Sequence, residues 1–211
     1  MRTFLGELRL SAWRTAGARY EAARRLQLRV LFGTISVASF SASTSALVVV
    51  QRVYSAREGP DWDSAVTVLA AVLGLFVLVI SLIEWGAANA AKAYALFENA
   101  ETLNAHQRET AELMARLDSG AAVDWTDVHE HRARYEECKR ECRHNHEPID
   151  DESFRARQRK APEFASAGKP ALNLLQALVV RVRHWLASVW YFGVLWVMLV
   201  SAIWAVMRPI L

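Results

Sequence analysis

Three long stretches without a charged residue constrain what this chain can fold into. They are Val30–Val50, Ser64–Ile83 and Trp185–Met207, with 21, 20 and 23 residues. At a rise of about 1.5 Å per residue, a helix of each length reaches roughly 30 Å, the thickness of the hydrocarbon core of a bilayer. The sequence therefore predicts an all-α integral membrane protein and excludes an ordinary soluble globule. A secreted disulfide scaffold is excluded as well, because the 211 residues include only two cysteines.

The first stretch is predicted to be a retained transmembrane helix rather than a secretory signal peptide. Its apolar run is longer than the roughly 7–15 residues of a signal-peptide core, and the segment before it is long. That segment, residues 1–29, is predicted to form a basic amphipathic helix, because apolar residues recur every three to five positions between arginines. We expect this helix to lie along the inner membrane surface or to pack on the cytosolic part.

The charges on either side of the stretches predict their orientation. The leader carries a net charge of +5, whereas the loop Gln51–Asp63 carries −1. Lys169, Arg181 and Arg183 precede the third stretch. Because cytoplasmic flanks favour Lys and Arg, we expect the N-terminus and a large insert in the cytosol and the C-terminus outside.

These features predict four regions. They are a basic helix (1–29), a transmembrane hairpin (30–83), a helical cytosolic region (84–170) and a juxtamembrane helix with the third span (171–211). Since no helix breaker follows Ile83 closely, span two is expected to continue into the cytosol without interruption. A second cytosolic helix is expected to open at Trp125-Thr126 and to end before Pro148. The insert has few large apolar residues, which favours a homo-oligomer that buries more surface between subunits.

Span one is unusually rich in hydroxyl groups. On a helical wheel, Ser36, Ser39 and Ser43 share one side, and Thr34, Ser41 and Ser45 lie nearly opposite. Alanines also recur every four residues, a spacing that allows close approach of helices. Either both faces are packing faces, or one lines a water-accessible pore, for which we predict Ser36, Ser39 and Ser43.

Other clusters give weak chemical signals. Cys138 and Cys142 lie one helical turn apart and His144 and His146 follow, but this spacing matches no common zinc site. His129-Glu130-His131 lacks the histidine pair at i and i+4 that a metalloprotease helix needs. Nucleotide-binding glycine loops and nucleophile motifs are absent from the sequence. We expect no enzyme activity, no bound metal and no cofactor; only the Cys/His cluster favours a membrane enzyme.

A basic run in the insert could hold a phosphorylated ligand. It comprises Arg155, Arg157, Arg159 and Lys160. Arginine matches phosphate oxygens bidentately. The alternative is a solvated run, or one paired with the acidic residues between Glu147 and Glu152.

The order of features resembles the SLATT domain family, the two-transmembrane effectors associated with SMODS nucleotidyltransferases and SLOG sensors. The resemblance covers residues 14–160 and is carried by Arg24-Arg25-Leu26, the Ser-rich first span, Ala93-Tyr94-Ala95-Leu96 and a final segment. That segment joins Tyr135-Glu136-Glu137-Cys138 to His144-Asn145-His146-Glu147-Pro148-Ile149-Asp150 and Phe154. Two features depart from the family pattern: a third span, and Asp151 where an aromatic residue often stands.

The resemblance implies an oligomeric pore in the bacterial inner membrane, an effector of antiphage defence that depolarises the membrane. Its trigger would be a nucleotide or oligonucleotide made by a partner nucleotidyltransferase and sensed by the cytosolic helices. We predict Arg143, His146, Asp150, Arg155 and Arg157 as ligand-binding or gating residues, although His146 and Asp150 could instead brace a turn. The alternative function is a non-conducting membrane anchor that recruits a cytosolic partner.

Overall fold

The computed structural model is built from helices throughout. It describes residues 1–166, 168 and 171–208, without the side chains of residues 55–58, 165 and 166. Within these ranges there are seven helices and no strand. They are α1 (Arg2–Glu58), α2 (Pro60–Ala87), α3 (Asn89–Asp118), α4 (Trp125–Glu141), α5 (Pro148–Arg157), α6 (Pro162–Ser166) and α7 (Leu174–Met207).

Three of the helices, α1, α2 and α7, contain segments long and apolar enough to cross a membrane. This confirms the predicted all-α membrane architecture. The orientation of the termini stays a prediction. Lys169, one of the flanking charges used for it, and the side chains of Arg57 and Glu58 lie outside the described residues.

The chain forms two compact units. Unit 1 comprises Met1–Gln27 and Ala90–Ala187, and unit 2 comprises Leu28–Asn89 and Ser188–Leu211. Within unit 1, the apolar stripe of the basic leader is a packing face. Leu8, Ala12 and Ala16 pack with Leu103 and Tyr135, and further along Ala22 and Ala23 pack with Leu96. The short side chains of these alanines allow the neighbouring helices to approach α1 closely.

At Gly17 the backbone of α1 lies close to an aromatic ring of α5. A Cβ placed on Gly17 would lie 2.3 Å from the ring of Phe154 in α5. The glycine therefore gives the ring its space, and Trp13 contacts the same ring edge-on with 4.8 Å between the ring centroids.

Unit 2 has an apolar core built from α1, α2 and α7. Phe40 and Leu47 of α1, Val66 and Leu73 of α2, and Phe192 of α7 belong to one buried cluster. Span three is thus part of the core, although some of its aromatic residues remain exposed. Trp190 and Trp204 are exposed, but Phe192 is buried.

Polar contacts tie the helices of unit 2 near the turn between α1 and α2. Gln51 donates hydrogen bonds to the carbonyl and carboxylate of Asp63, at 3.2 and 2.9 Å. The indole of Trp62 donates to the carbonyl oxygen of Val206 at 2.9 Å. Trp62 is buried. The chain turns between α1 and α2 at Gly59 and Pro60, and Gly59 has a φ of 88° that favours glycine.

Two predictions about helix boundaries need correction. Span two does not continue unbroken, because Ala88 is left-handed (φ 49°) and separates α2 from α3. The side chain of Asn89 donates to Glu84 across this break, at 3.1 Å. Pro148 begins α5 rather than only ending α4, since a proline suits the first turn of a helix. The start of α4 at Trp125 is confirmed, and Asp124 caps it in a reciprocal capping box with Asp127.

Candidate functional site

A buried carboxylate, Asp150, joins three helices of unit 1. Its side chain is 0% exposed. Arg25 of α1 donates to both carboxylate oxygens, from Nε at 2.9 Å and from Nη2 at 3.1 Å. His184 of α7 lies with Nε2 3.1 Å from Oδ1. The backbone N–H of Glu147 completes the set at 2.8 Å, which is the helix-capping contact of α5.

The surroundings of Asp150 keep it ionised. Burial alone would raise the pKa of its carboxyl group, but the hydrogen bonds from His184, Arg25 and the Glu147 backbone outweigh burial and lower the pKa. The carboxylate has no open side at which a reacting group could sit. The arrangement is therefore an electrostatic clamp among α1, α5 and α7 rather than a catalytic centre.

A second buried carboxylate, Glu21, lies one helical turn before Arg25. Arg24 contacts it at 2.9 Å, Ser153 donates to it at 2.8 Å, and Arg157 Nε lies 2.8 Å from Oε1. Both guanidinium groups are about half exposed, at 55% and 46%, so they also face a cavity of about 490 Å³. Tyr20 and Phe97 line the same cavity. Aromatic rings and guanidinium groups therefore border one space.

The predicted gating residues do not form one site. Asp150 and Arg157 lie at the two carboxylate clusters just described. Arg143 is exposed and lines a different cavity of about 380 Å³, beside Glu98 and Glu141. His146 lines a third cavity with Arg14 and Asp151, and Arg155 is half-buried.

His146 lies in a setting that disfavours its charged form. Burial lowers the pKa of its imidazole, and the positive charge of Arg19 lowers it further. Asp151 and Asp150 act in the opposite direction but do not compensate. His146 is therefore held neutral rather than braced by a carboxylate, while Asp150 does cap the turn.

The two hydroxyl faces of span one have different environments in unit 2. Ser36 is fully buried and accepts a hydrogen bond from the indole of Trp196 at 3.1 Å. Ser39 and Ser43, which share its face, are half-buried. The opposite residues Thr34, Ser41 and Ser45 are exposed. The hydroxyls of Thr34 and Ser45 bond back to carbonyls one turn earlier, at 2.9 and 3.1 Å.

The cysteine and histidine cluster does not assemble into a shared site in the described part of the chain. Cys138 is buried in an apolar cluster, and burial raises the pKa of its thiol. The Cys142 thiol contacts the backbone carbonyl of His144 at 3.3 Å. Both cysteines are therefore free thiols in packed surroundings.

Sequence reasoning missed several of the charged residues that matter. Glu21, Arg25 and His184 lie in helices where charges usually face solvent. Glu21 and Arg25 have partners more than a hundred residues away, and His184 has its partner 34 residues away, in another helix. Glu84, just beyond the second charge-free stretch, was assigned to the cytosolic insert. In unit 2 it accepts a hydrogen bond from the Tyr191 hydroxyl and lies 3.4 Å from Arg29. Its position at the end of an apolar run was the signal available.

Comparison with known proteins gives one family. The family model for the SMODS and SLOG-associating 2TM effector domain family 5 matches residues 1–207. No curated protein and no solved structure matches the chain. The match confirms the resemblance drawn from the Arg-rich leader, the Ser-rich span and the segment around Asp150, and it extends beyond residues 14–160 to include the third span. The chain therefore belongs to SMODS and SLOG-associating 2TM effector domain family 5, whose members are membrane effectors of antiphage defence.

Proposed function

We propose that this protein is an oligomeric pore that depolarises the bacterial inner membrane during antiphage defence, under the control of a nucleotide signal. The observation that carries the proposal is the exposed hydroxyl face of α1 in unit 2. Thr34, Ser41 and Ser45 lie on it, with Ala38 and Ala42 between them. The apolar core of unit 2 lies on the other side of the same helix, around Phe40 and Leu47.

Two hydroxyl groups of this face bond back to α1, so the face is compatible with helix packing as well as with water. Small residues at four-residue spacing let helices of neighbouring copies approach closely. Hydroxyl groups on the same face wet a narrow pore without imposing a charge selectivity. We therefore propose that several copies bring this face of α1 together around an axis.

The burial of Ser36 changes which residues we assign to the pore. Ser36, Ser39 and Ser43 were predicted from the wheel, but Ser36 is engaged with Trp196 inside one subunit. Thr34, Ser41 and Ser45 have the exposure that a pore lining requires. The proposed lining accordingly moves to the opposite face.

The cavity beside Glu21 is the proposed nucleotide site. Arg24 and Arg157 supply guanidinium groups that match phosphate oxygens, and Tyr20 and Phe97 supply rings on which a base can stack. Both arginines contact Glu21 in the unliganded protein. A phosphate would compete with this carboxylate for them. Because Glu21 belongs to α1 and Arg157 to α5, this competition would make the affinity for the ligand depend on the relative position of the two helices. A ligand shifts a conformational equilibrium only when its affinity differs between the two conformations.

The membrane arrangement in the proposal follows the charges. The leader with net +5 lies in the cytosol, unit 1 senses a ligand made there by a partner nucleotidyltransferase, and the C-terminus lies outside. Cysteine labelling of intact and permeabilised cells, with Arg208→Cys in a chain lacking Cys138 and Cys142, tests this arrangement.

Ion flux from proteoliposomes tests the pore. We expect purified protein to release trapped ions, and we expect the double variant Ser41→Leu, Ser45→Leu to block release while still forming oligomers. Ser81→Leu is the matched control, because it makes the same replacement at an exposed serine of α2. Flux that survives the double variant would reject this face, and no flux from folded, oligomeric wild-type protein would favour the anchor alternative.

The same assay tests nucleotide control. Cyclic and linear oligonucleotides are added to the liposomes, and flux is compared between wild type, Arg157→Gln and Arg159→Gln. We expect one class of nucleotide to change the flux of the wild type and of the Arg159 control but not of Arg157→Gln. A wild-type pore that ignores every nucleotide would move the trigger to a protein partner.

A further inference from the structure

Two histidines of unit 1 have buried ring nitrogens without hydrogen-bond partners. Within the described residues, neither Nδ1 nor Nε2 of His106 has such a partner, and the same holds for Nδ1 of His131. The His106 side chain is only 2% exposed. A buried polar atom left unpaired is destabilising, so these nitrogens require a partner that the described residues do not supply.

The fold places a carboxylate beside the two rings. Glu109 follows His106 by three residues on the same face of α3, and His131 comes from α4. One donor atom from each of the three side chains lies within 4.8 Å of the others. Around a tetrahedral ion with bond lengths near 2.1 Å, ligand atoms are about 3.4 Å apart. Side-chain rotations that move the ligand atoms by about an ångström would therefore bring them to the distances that a metal ion requires, without a movement of the helices.

The three side chains are free to turn toward a common ion. Both ring nitrogens of His106 lack a hydrogen-bond partner among the described residues, so either one can serve as the ligand atom. Glu109 lies 3.3 Å from Arg134, which is 63% exposed and can move into solvent when the carboxylate takes another partner.

We propose that His106, Glu109 and His131 bind a divalent transition-metal ion that links α3 to α4. Two imidazoles and one carboxylate are ligands that Zn²⁺ accepts, with a fourth position left for water. The ion would satisfy one unpaired nitrogen of each ring and would add a bond between α3 and α4, whose residues meet in two apolar clusters, one with Leu113 and Val128 and one with Leu103 and Tyr135. The site is separate from the proposed pore and from the cavity beside Glu21, so its test does not depend on either.

The alternative is that the histidines are only packed rings. His106 lies 5.5 Å from the ring of His131 and 6.1 Å from the ring of Tyr135, between ring centroids. Packing of this kind requires no metal and would persist when the side chain of a proposed ligand is replaced by that of glutamine. Metal binding and its loss in ligand variants distinguish the two cases.

The experiment uses untagged, full-length protein in detergent, treated with chelator and then titrated with Zn²⁺ or Co²⁺ at pH 7.5. We expect one Zn²⁺ per chain, and visible Co²⁺ absorption without the near-ultraviolet band of thiolate ligands. Glu109→Gln and His131→Gln should weaken binding at least about tenfold, the smallest loss usual even for residues that only support a ligand. Glu112→Gln and His129→Gln are the matched controls, because both side chains are exposed on the same helices.

Each result decides the proposal. Stoichiometric binding that both ligand variants weaken and both controls retain supports it. No binding at 100 µM metal, equal binding in ligand and control variants, or a thiolate band that assigns the metal to Cys138 or Cys142 would overturn it. Glu109 is half-exposed, so its variant should fold even if a change at buried His106 does not, and circular dichroism checks this.

Discussion

Units 1 and 2 are both helical, yet they bury different groups. Unit 1 buries carboxylates, Asp150 and Glu21, with arginines from other parts of the chain, around a core rich in alanine. Unit 2 buries large apolar side chains such as Phe40 and Phe192, and its carboxylates Asp63 and Glu84 accept hydrogen bonds near the two ends of α2. Apolar packing tolerates many sequences, whereas a buried charge tolerates only its partner. We therefore expect single substitutions to lower the stability of the protein most when they fall in unit 1.

The largest expected effect is at Asp150. Asp150→Ala leaves Arg25 and His184 without their carboxylate in a buried site, and should lower the free energy of unfolding by about 3–5 kcal/mol. Chemical denaturation of the detergent-solubilised protein measures this. Asp151→Ala is the control, because its contact with Arg14 is 3.6 Å long and partly solvated, and its cost should stay below about 1 kcal/mol. Equal effects at the two positions would remove the distinction between the units.

Glu84 tests whether unit 2 depends on polar contacts at all. Glu84→Ala removes the acceptor for Tyr191 and for Asn89, and should cost about 1–3 kcal/mol in the same assay. Ser81→Ala, three residues earlier in α2, should change stability by no more than about 0.5 kcal/mol because its hydroxyl only bonds back to Val77. A Glu84 effect as large as that of Asp150 would contradict the ranking of the units.

A pair of glycines sharpens the comparison of packing. Gly17→Ala pushes a methyl group into the Phe154 ring and should destabilise by about 1–3 kcal/mol. Gly74→Ala in α2 meets nothing within 4 Å and should stabilise by about 0.5–1 kcal/mol, because alanine favours helix. Thermal unfolding followed by circular dichroism gives the two signs. A stabilising Gly17→Ala would mean that Phe154 can move aside.

The smallest expected effect is a pH dependence that belongs to unit 1. The folded pKa of His146 lies below its unfolded value of about 6.5, so the unfolded chain takes up the proton first as the pH falls. Stability is therefore unaffected above pH 6.5 and declines below it, until the pH passes the folded pKa. We expect His146→Gln to reduce the decline between pH 7 and 5.5, and exposed His129→Gln to leave it unchanged. An unchanged decline in His146→Gln would assign it to other groups.

Much of unit 2 could be predicted from the sequence, because hydropathy and the turn at Gly59 and Pro60 are local signals. The fold class was predicted for the same reason, and the family was predicted from the order of short segments along the chain. The clusters of unit 1 could not, since Arg25 meets Asp150 only after 125 residues of chain have folded. The helical wheel placed Ser36 on the same face of α1 as Ser39 and Ser43, but it cannot indicate which face of α1 packs against α7. Nothing in the sequence marks Ala88 as the end of a helix. A proline such as Pro148 can either follow the end of one helix or begin the next.

The polar ties of unit 2 have a consequence for the bilayer around it. Gln51 and Trp62 hold the helices near the start of α2, and Glu84 with Tyr191 and Arg29 holds them near its end. The apolar length between Asp63 and Glu84 is about 30 Å, and the helices cannot slide past one another to lengthen it. In a thicker membrane the lipids must thin, and in a thinner one the bundle must tilt as a whole. Bilayer thickness is therefore a variable to which this protein should respond mechanically.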